Sequence, residues 1–216
     1  MTPAPPGASS APETSSPAAA VASPRRSTTR PLPRAQRRRA IVAGAARAFA
    51  TGGFDSTSME DIAEAAGVSK LILYRHFDSK EELYRSIVEQ VSGRLGDETA
   101  AEVERGRRRG VFVRAFLAVA REDPDGFRLL WRHASREPQF AAYGEEVRAA
   151  AVAFARVLLS PRLAEPKLLD WSAATIVDFL VQASLNWLDH GRPEDDEMFV
   201  DVATRSLEAM FRSWSS

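Results

Sequence analysis

Apolar residues recur at helical spacing along the chain from residue 34 onward, and no useful stretch alternates with the two-residue period of a strand. The predicted helices cover residues 34–51, 57–66, 70–76, 79–95, 111–121, 124–136, 138–160, 166–190 and 195–213. The fold class is therefore all-α, with several short helices in the first half and two long ones at the end.

Two of the short helices are joined by a tight turn. Thr57-Ser58-Met59-Glu60 is a capping box that predicts a helix start with Thr57 as N-cap. Gly67 ends that helix, since glycine adopts the left-handed conformation at little cost, and Ser69 is the predicted N-cap of the next helix. A helix pair of this length is a helix-turn-helix, whose second helix can enter the major groove of DNA.

Charge is distributed unevenly along a chain of zero net charge. Residues 1–89 carry 12 Lys and Arg against 9 Asp and Glu, and residues 24–40 hold seven arginines and no acid. A polyanion binds such a region through counterion release. By itself an arginine run is also typical of a solvated tail.

The segment 1–33 is rich in Pro, Ala, Ser and Thr and holds eight of the thirteen prolines. It cannot bury enough apolar surface to offset the entropy of ordering, so it is predicted to be a disordered tail. Its basic end is a candidate arm for the phosphates or the minor groove of DNA.

The third helix carries most of the candidate DNA contacts. Lys70 can reach a guanine edge or a phosphate, and Leu71 offers an apolar contact to a thymine methyl. Hydroxyl and imidazole groups donate to phosphate oxygens, and Lys80 stands at a helix N-terminus that favours an anion. The predicted DNA-binding residues are Thr57, Ser58, Ser69, Lys70, Leu71, Tyr74, Arg75, His76 and Lys80.

Residues 34–95 resemble the N-terminal domain of the TetR (tetracycline repressor) family of bacterial transcriptional regulators. The resemblance rests on Gly53-Phe54, Thr57-Ser58-Met59, Asp61-Ile62-Ala63, Ala66-Gly67-Val68-Ser69, Leu73-Tyr74-Arg75-His76-Phe77 and Ser79-Lys80-Glu81-Glu82-Leu83-Tyr84.

The resemblance implies a homodimer that binds a pseudo-palindromic double-stranded operator and releases it when a small molecule binds the C-terminal domain. It implies phosphate contacts from Thr57, Tyr74 and Lys80, and base-facing positions at Lys70 and Leu71. The bulky Leu71-Ile72 pair departs from the smaller or hydroxyl residues that many relatives carry there.

Residues 96–216 are predicted to form a helical regulatory and dimerisation domain. The helix at 166–190 is apolar nearly all round and must be covered on both sides. With the last helix it is predicted to supply half of a four-helix dimer interface. The alternative is a central core helix in a monomer.

The same domain contains candidate ligand-binding residues, namely Trp131, Phe179 and Gln182. Aromatic walls with a few polar anchors are typical of small-molecule sites, and the expected effector is bulky and largely apolar. Alternatively, these aromatics are ordinary core. In the helix at 138–160, the residues expected to face inward are Val147, Ala151, Phe154, Val157 and Leu158.

Several function classes have little support in the sequence. There is no cysteine, no metal-ligand spacing among the three histidines, no catalytic or cofactor motif, and no expected secretory signal or membrane span. The leading hypothesis is a cytoplasmic, nucleoid-associated repressor released by a small apolar molecule. The alternatives are a DNA-binding dimer without small-molecule input and an all-α enzyme.

Overall fold

The computed structural model describes residues 33–106 and 109–214, and within them every regular element is helical. The predicted tail lies outside the described residues except for Pro33. The elements are α1 Arg34–Gly52, α2 Met59–Ala65, α3 Lys70–Tyr74, α4 Lys80–Glu104, α5 Val111–Glu122, α6 Pro124–Arg128, a π-helical turn Leu129–His133, a 3-10 turn Ala134–Arg136, α7 Ala141–Leu159, α8 Pro166–His190, a 3-10 turn Pro193–Asp195 and α9 Asp196–Trp214.

Helices α1, α2 and α3 pack as a small unit around a shared apolar core. Ile41, Ala45 and Phe49 recur at helical spacing along α1, and each is fully buried. At Gly44 a Cβ atom would lie 2.6 Å from the backbone of Ala66, so glycine lets α1 and α2 approach at van der Waals distance.

Helix α4 is longer than the sequence pattern predicts. Its predicted end near Leu95 is wrong, because the helix continues past Gly96 to Glu104. Leu95 and Glu102 are both buried, so packing in the second half of the chain offsets the low helix propensity of Gly96. The predicted domain boundary at residues 95/96 therefore falls inside one continuous helix.

An aromatic cluster joins the helix-turn-helix unit to the rest of the chain. Tyr84 of α4 stacks on Phe140, with ring centroids 4.0 Å apart, and Phe54 meets both rings edge-on. Phe49 of α1 completes the cluster. These rings form one continuous core, which places the segment before α7 in direct contact with the turn before α2.

The segment predicted as one helix at 124–136 is divided. It forms α6, then the π-helical turn and then the 3-10 turn. Helix α6 and the π-helical turn pack against α1 and α4, and the 3-10 turn packs against α7. Phe127 and Leu130 are buried, as the apolar pattern predicts.

Helix α7 lies on the surface of the chain. The prediction that Phe154, Val157 and Leu158 face inward is wrong, because their exposed fractions are 50%, 68% and 46%. Periodicity places these residues on one stripe but does not say what covers it.

Ion pairs hold α7 along α8. They are Arg148 with Asp178 and Arg156 with Asp170, two pairs whose order along the helices is antiparallel.

The bounds of α8 agree with the prediction, but its two faces differ. Ile176, Leu180 and Leu185 are buried, whereas the opposite face is exposed. By length and composition α8 is the one helix of the described residues that is able to cross a membrane, and half of its most apolar 18-residue window is buried inside the protein. By length and composition, α8 is therefore an exception to the expectation that no segment is apolar enough to span a bilayer.

Candidate DNA-binding surface

The start of α2 is capped by Ser58 and not by Thr57. The Ser58 hydroxyl accepts a hydrogen bond from the Asp61 amide at 3.1 Å, and the Asp61 carboxylate accepts from the Ser58 amide at 2.8 Å. The predicted capping box is therefore wrong by one residue. The hydrogen bond from the Ser58 side chain, followed by that from its backbone, lowers the pKa of the Asp61 carboxyl.

Thr57 is buried, with only 5% of its surface exposed. Its hydroxyl donates to the Gly53 carbonyl at 2.6 Å and lies 3.4 Å from the Ala48 carbonyl. The residue thereby ties the end of α1 to the start of α2, which leaves its hydroxyl turned away from solvent.

The turn between α2 and α3 has the predicted geometry. Gly67 has a φ of 65°, in the left-handed region where a side chain would be strained. The Val68 amide returns to the Ala63 carbonyl at 3.0 Å, and the Ser69 hydroxyl caps α3 by accepting from the Ile72 amide. These bonds fix the direction in which α3 leaves the turn.

Helix α3 is anchored on one side and exposed on the other. Leu73 is fully buried, and Phe77 just beyond the helix is 1% exposed. On the opposite side Leu71 is 64% exposed and Tyr74 is 43% exposed. A short helix held in this way presents its outer side chains to any surface that approaches the protein.

Basic groups surround the outer side of α3. Lys70 forms an ion pair with Glu60 of α2, and its ammonium lies 5.9 Å from the Tyr74 ring centroid. The Arg38 guanidinium of α1 lies 4.9 Å over the Phe77 ring and donates to the hydroxyl of a serine in α4.

His76 lies at the end of the same surface, half-buried. Burial, followed by the charges of Arg34, Arg37 and Arg38, lowers the pKa of its imidazole. The N-terminal turns of α1 therefore lie near the end of α3, and their arginines extend the basic surface. The sequence signal for this extension was the arginine run, but its position beside His76 follows only from the fold.

Lys80 is engaged by the protein itself. Its ammonium donates to the carbonyls of Phe54, Asp55 and Thr57 at 2.9, 3.2 and 3.3 Å, and it lies 4.4 Å from the Phe54 ring centroid. An ammonium has three donors, so these carbonyls account for all of them. A phosphate contact from Lys80 stays a prediction, and it requires one of these bonds to be exchanged.

The predicted DNA-binding residues thus fall into two groups. Thr57 is buried, and Lys80 of α4 is half-exposed with its ammonium bonded to the turn before α2. The other residues have at least part of their surface available and are Ser58, Ser69, Lys70, Leu71, Tyr74, Arg75 and His76.

The three candidate ligand residues do not form one cluster. Trp131 is half-buried on the π-helical turn and stacks with Phe116 of α5 at 6.0 Å. Phe179 is half-buried on α8, and Gln182 on the same helix is exposed rather than enclosed.

A small surface cleft of about 20 Å³ lies between α4 and α5. Its lining includes Arg94, Glu122 and Asp123, and none of the three candidate ligand residues. Among the described residues there is no cluster of three or more His, Asp and Glu side chains arranged to hold a metal ion.

Comparisons with known proteins match the helix-turn-helix unit and the whole fold. Residues 41–87 match the family model described as bacterial regulatory proteins, tetR family. The HTH-type transcriptional activator FasR of Mycolicibacterium smegmatis is 31% identical over 180 residues, which span 79% of this chain and 80% of FasR.

Solved structures share the fold at low sequence identity. A TetR-like transcriptional regulator from Rhodococcus sp. RHA1 has a TM-score of 0.64 and 22% identity, and covers 82% of this chain and 99% of its own. AibR, solved in complex with isovaleryl coenzyme A and operator DNA, has a TM-score of 0.60 and 20% identity over 79% of this chain and 97% of its own.

Proposed function

Because this chain belongs to the TetR family of bacterial transcriptional regulators, we propose that it is a homodimeric repressor that releases a palindromic operator when a small, largely apolar molecule binds its C-terminal half. Regulators of this family bind DNA and are not enzymes, which sets aside the all-α enzyme alternative. DNA access requires the cytoplasm, where we place the protein in association with the nucleoid.

The observation that carries the proposal is the presentation of α3. Leu73 anchors the helix, while Leu71 and Tyr74 project from the opposite side. The major groove of B-DNA accepts a helix, and apolar or basic side chains there contact thymine methyls and guanine edges. We assign base contacts to Lys70 and Leu71.

Phosphate contacts fix the register of the bound protein. We assign them to the exposed hydroxyl and basic groups around α3, namely Ser58, Ser69, Tyr74, Arg75 and His76. Lys70 is paired with Glu60 in the free protein, so binding a guanine or a phosphate exchanges one charged partner for another.

Dimerisation through α8 and α9 is supported by apolar side chains that the single chain leaves uncovered. Met198 and Val202 on α9 are 57% and 49% exposed, and Trp171 on α8 is 54% exposed where its ring meets Trp214 edge-on. A second copy placed against this face buries them and sets two α3 helices at the spacing of two half-sites.

Light scattering coupled to size exclusion tests the dimer face. We expect twice the chain mass of 23.7 kDa for the wild type and one chain mass for Val202→Glu. Val157→Glu is the matched control, because Val157 is equally apolar and more exposed but lies on α7. Dissociation by the control and not by Val202→Glu would move the interface to α7.

Effector binding is supported by a group of aromatic side chains from α5, α6 and the π-helical turn that pack together. Phe116, Phe127 and Trp131 contact one another at 6.0 to 6.4 Å between centroids. The alternative, a DNA-binding dimer without small-molecule input, treats the same rings as core alone. The relative matched over most of the chain is named an activator, so the sign of control is tested separately in a reporter assay.

Selection of bound sequences from random DNA tests the DNA-binding part. We expect a palindromic motif whose half-site centres lie one helical turn, about 10 base pairs, or a multiple of it apart. The affinity for that motif is expected to exceed that for random duplex by a factor of about 10³ or more. Recovery of no motif, or of a motif without two-fold symmetry, would contradict a dimeric operator-binding protein.

A further inference from the structure

The indole N–H of Trp131 is buried and has no hydrogen-bond acceptor among the described residues. An indole nitrogen is a donor only, and its direction is fixed by the ring. In contrast, the buried hydroxyls of Ser172 and Thr204 can rotate, so the direction of their O–H bonds is not fixed. A buried donor without an acceptor destabilises the protein, so the Trp131 N–H gains a hydrogen bond when a ligand supplies an acceptor.

Trp131 lies on the π-helical turn Leu129–His133. Single π turns inside α-helical segments are uncommon and are frequent at functional sites. This turn packs against α1 and α4, the helices that flank the helix-turn-helix unit. A ligand that bonds to Trp131 therefore acts at a point that is mechanically connected to α3.

Aromatic rings continue from Trp131 along α5 to the surface. Phe116 stacks with Trp131 at 6.0 Å, and Phe112, one turn earlier on the same face of α5, meets Phe154 of α7 at 5.8 Å. Trp131, Phe116, Phe112 and Phe154 form a row that we call the aromatic row. The two ring-to-ring distances and about 6 Å for the helical turn between Phe116 and Phe112 limit the length of the row to roughly 18 Å. Its outer end, Phe154, is exposed.

The chemistry of the inner end defines the group that bonds there. A buried water molecule needs two to four polar partners. The rings of Phe116 and Phe127 around Trp131 are apolar, so water is not favoured as the acceptor of the indole N–H. The nearest cation on the same turn, Arg132, already pairs with Asp189 of α8 at 2.7 Å. The inner end therefore favours an uncharged acceptor over a carboxylate.

We propose that the Trp131 indole donates a hydrogen bond to a neutral carbonyl oxygen of an elongated, otherwise apolar effector that lies along the aromatic row. The proposal deepens the effector site of the proposed function and rests on it. The ligand enters at the exposed end, between α5 and α7, and its carbonyl group leads.

The test compares two probes of nearly equal shape, butyrophenone and butylbenzene, by titration calorimetry on the full chain. We expect butyrophenone to bind about fivefold more tightly, as one net neutral hydrogen bond provides. Trp131→Phe keeps an aromatic ring and removes the donor, so it is expected to bring the ratio close to one while leaving butylbenzene affinity nearly unchanged. Trp187→Phe, which removes an indole whose N–H already donates to Asp196 at 2.7 Å, is the control and should keep the wild-type ratio.

Each other outcome overturns the proposal. A ratio that survives Trp131→Phe shows that the indole does not bond to the carbonyl, and failure of both probes to bind shows that the aromatic row is closed core. A gel-shift titration on the selected operator distinguishes failure of this proposal from failure of the proposed function. Intact operator binding without probe binding removes only the effector site, whereas probe binding without operator binding removes the regulator assignment.

Discussion

Replacing Lys80 by methionine distinguishes a lysine that holds the fold from one that binds DNA. In the structure its ammonium bonds to three carbonyls of the segment before α2, at 2.9 to 3.3 Å. Methionine keeps the apolar stem against Phe54 and removes the donors.

The expected loss follows from those bonds. A buried hydrogen bond to a charged group contributes about 1.5–3 kcal/mol. The sum of three such contributions is the upper limit of the stability that Lys80→Met can remove. Lys80 is half-exposed and water re-solvates the carbonyls that it leaves, so we expect the free energy of unfolding to fall by about 2 kcal/mol. For a chain of this length, that lowers the melting temperature by about 4–8 °C.

Chemical denaturation and the salt dependence of operator affinity are measured on the same protein. We expect the stability loss with an unchanged slope of log affinity against log salt. Lys167→Met, at an exposed lysine of α8, is the control and should change neither quantity. A slope lowered by about 1.8, which is about 0.9 for one lost contact in each protomer, with unaltered stability would refute this reasoning and place Lys80 on a phosphate.

Three further predictions concern the reading helix, the α1–α2 contact and pH. Leu71→Ala should weaken operator binding about tenfold, as loss of an apolar base contact predicts, and leave affinity for random duplex unchanged in fluorescence anisotropy; equal losses on both would remove Leu71 from base reading. Gly44→Ala should lower the free energy of unfolding by about 1–3 kcal/mol, because the new Cβ atom meets the backbone of Ala66. Gly93→Ala, in the open part of α4, should raise the free energy of unfolding by about 0.5–1 kcal/mol. Similar shifts at both sites would contradict the close approach of α1 to Ala66. Because the pKa of His76 is lowered in the folded protein, the unfolded chain binds the imidazole proton at a higher pH, and stability that is present above pH 6.5 is lost as the pH falls below it. His76→Gln should therefore reduce the loss of stability between pH 7.5 and pH 5.5 in chemical denaturation. An identical loss in the variant would show that His76 does not contribute.

The sequence predicts the local features of the DNA-binding unit well, because each depends on neighbouring residues. Gly67 requires a left-handed turn, and Leu73 and Phe77 mark the anchored side of α3. The start of α2 was missed by one residue because Thr57 and Ser58 are both suitable caps. What decides between them is the bond from Thr57 to Gly53, a contact across a turn that no helix rule contains.

Features that depend on distant parts of the chain were missed for a common reason. The length of α4 is set by packing of Leu95 and Glu102, and the carbonyls that hold Lys80 come from a turn more than twenty residues earlier. Likewise, periodicity identifies the apolar stripe of α7, but the burial of Phe154 depends on a neighbour that the pattern does not name. The buried N–H of Trp131 belongs to the same class, since its surroundings come from two other helices.

The placement of α3 in the major groove is tested most directly by cleavage of operator DNA from a chelated iron attached to α3. The chain contains no cysteine, so Leu71→Cys provides a single attachment point. We expect two sets of cuts, one within each half-site, separated by about one helical turn or a multiple of it. Cuts of equal strength from the chelate at Val157→Cys on α7, or no localised cuts from position 71, would contradict the account.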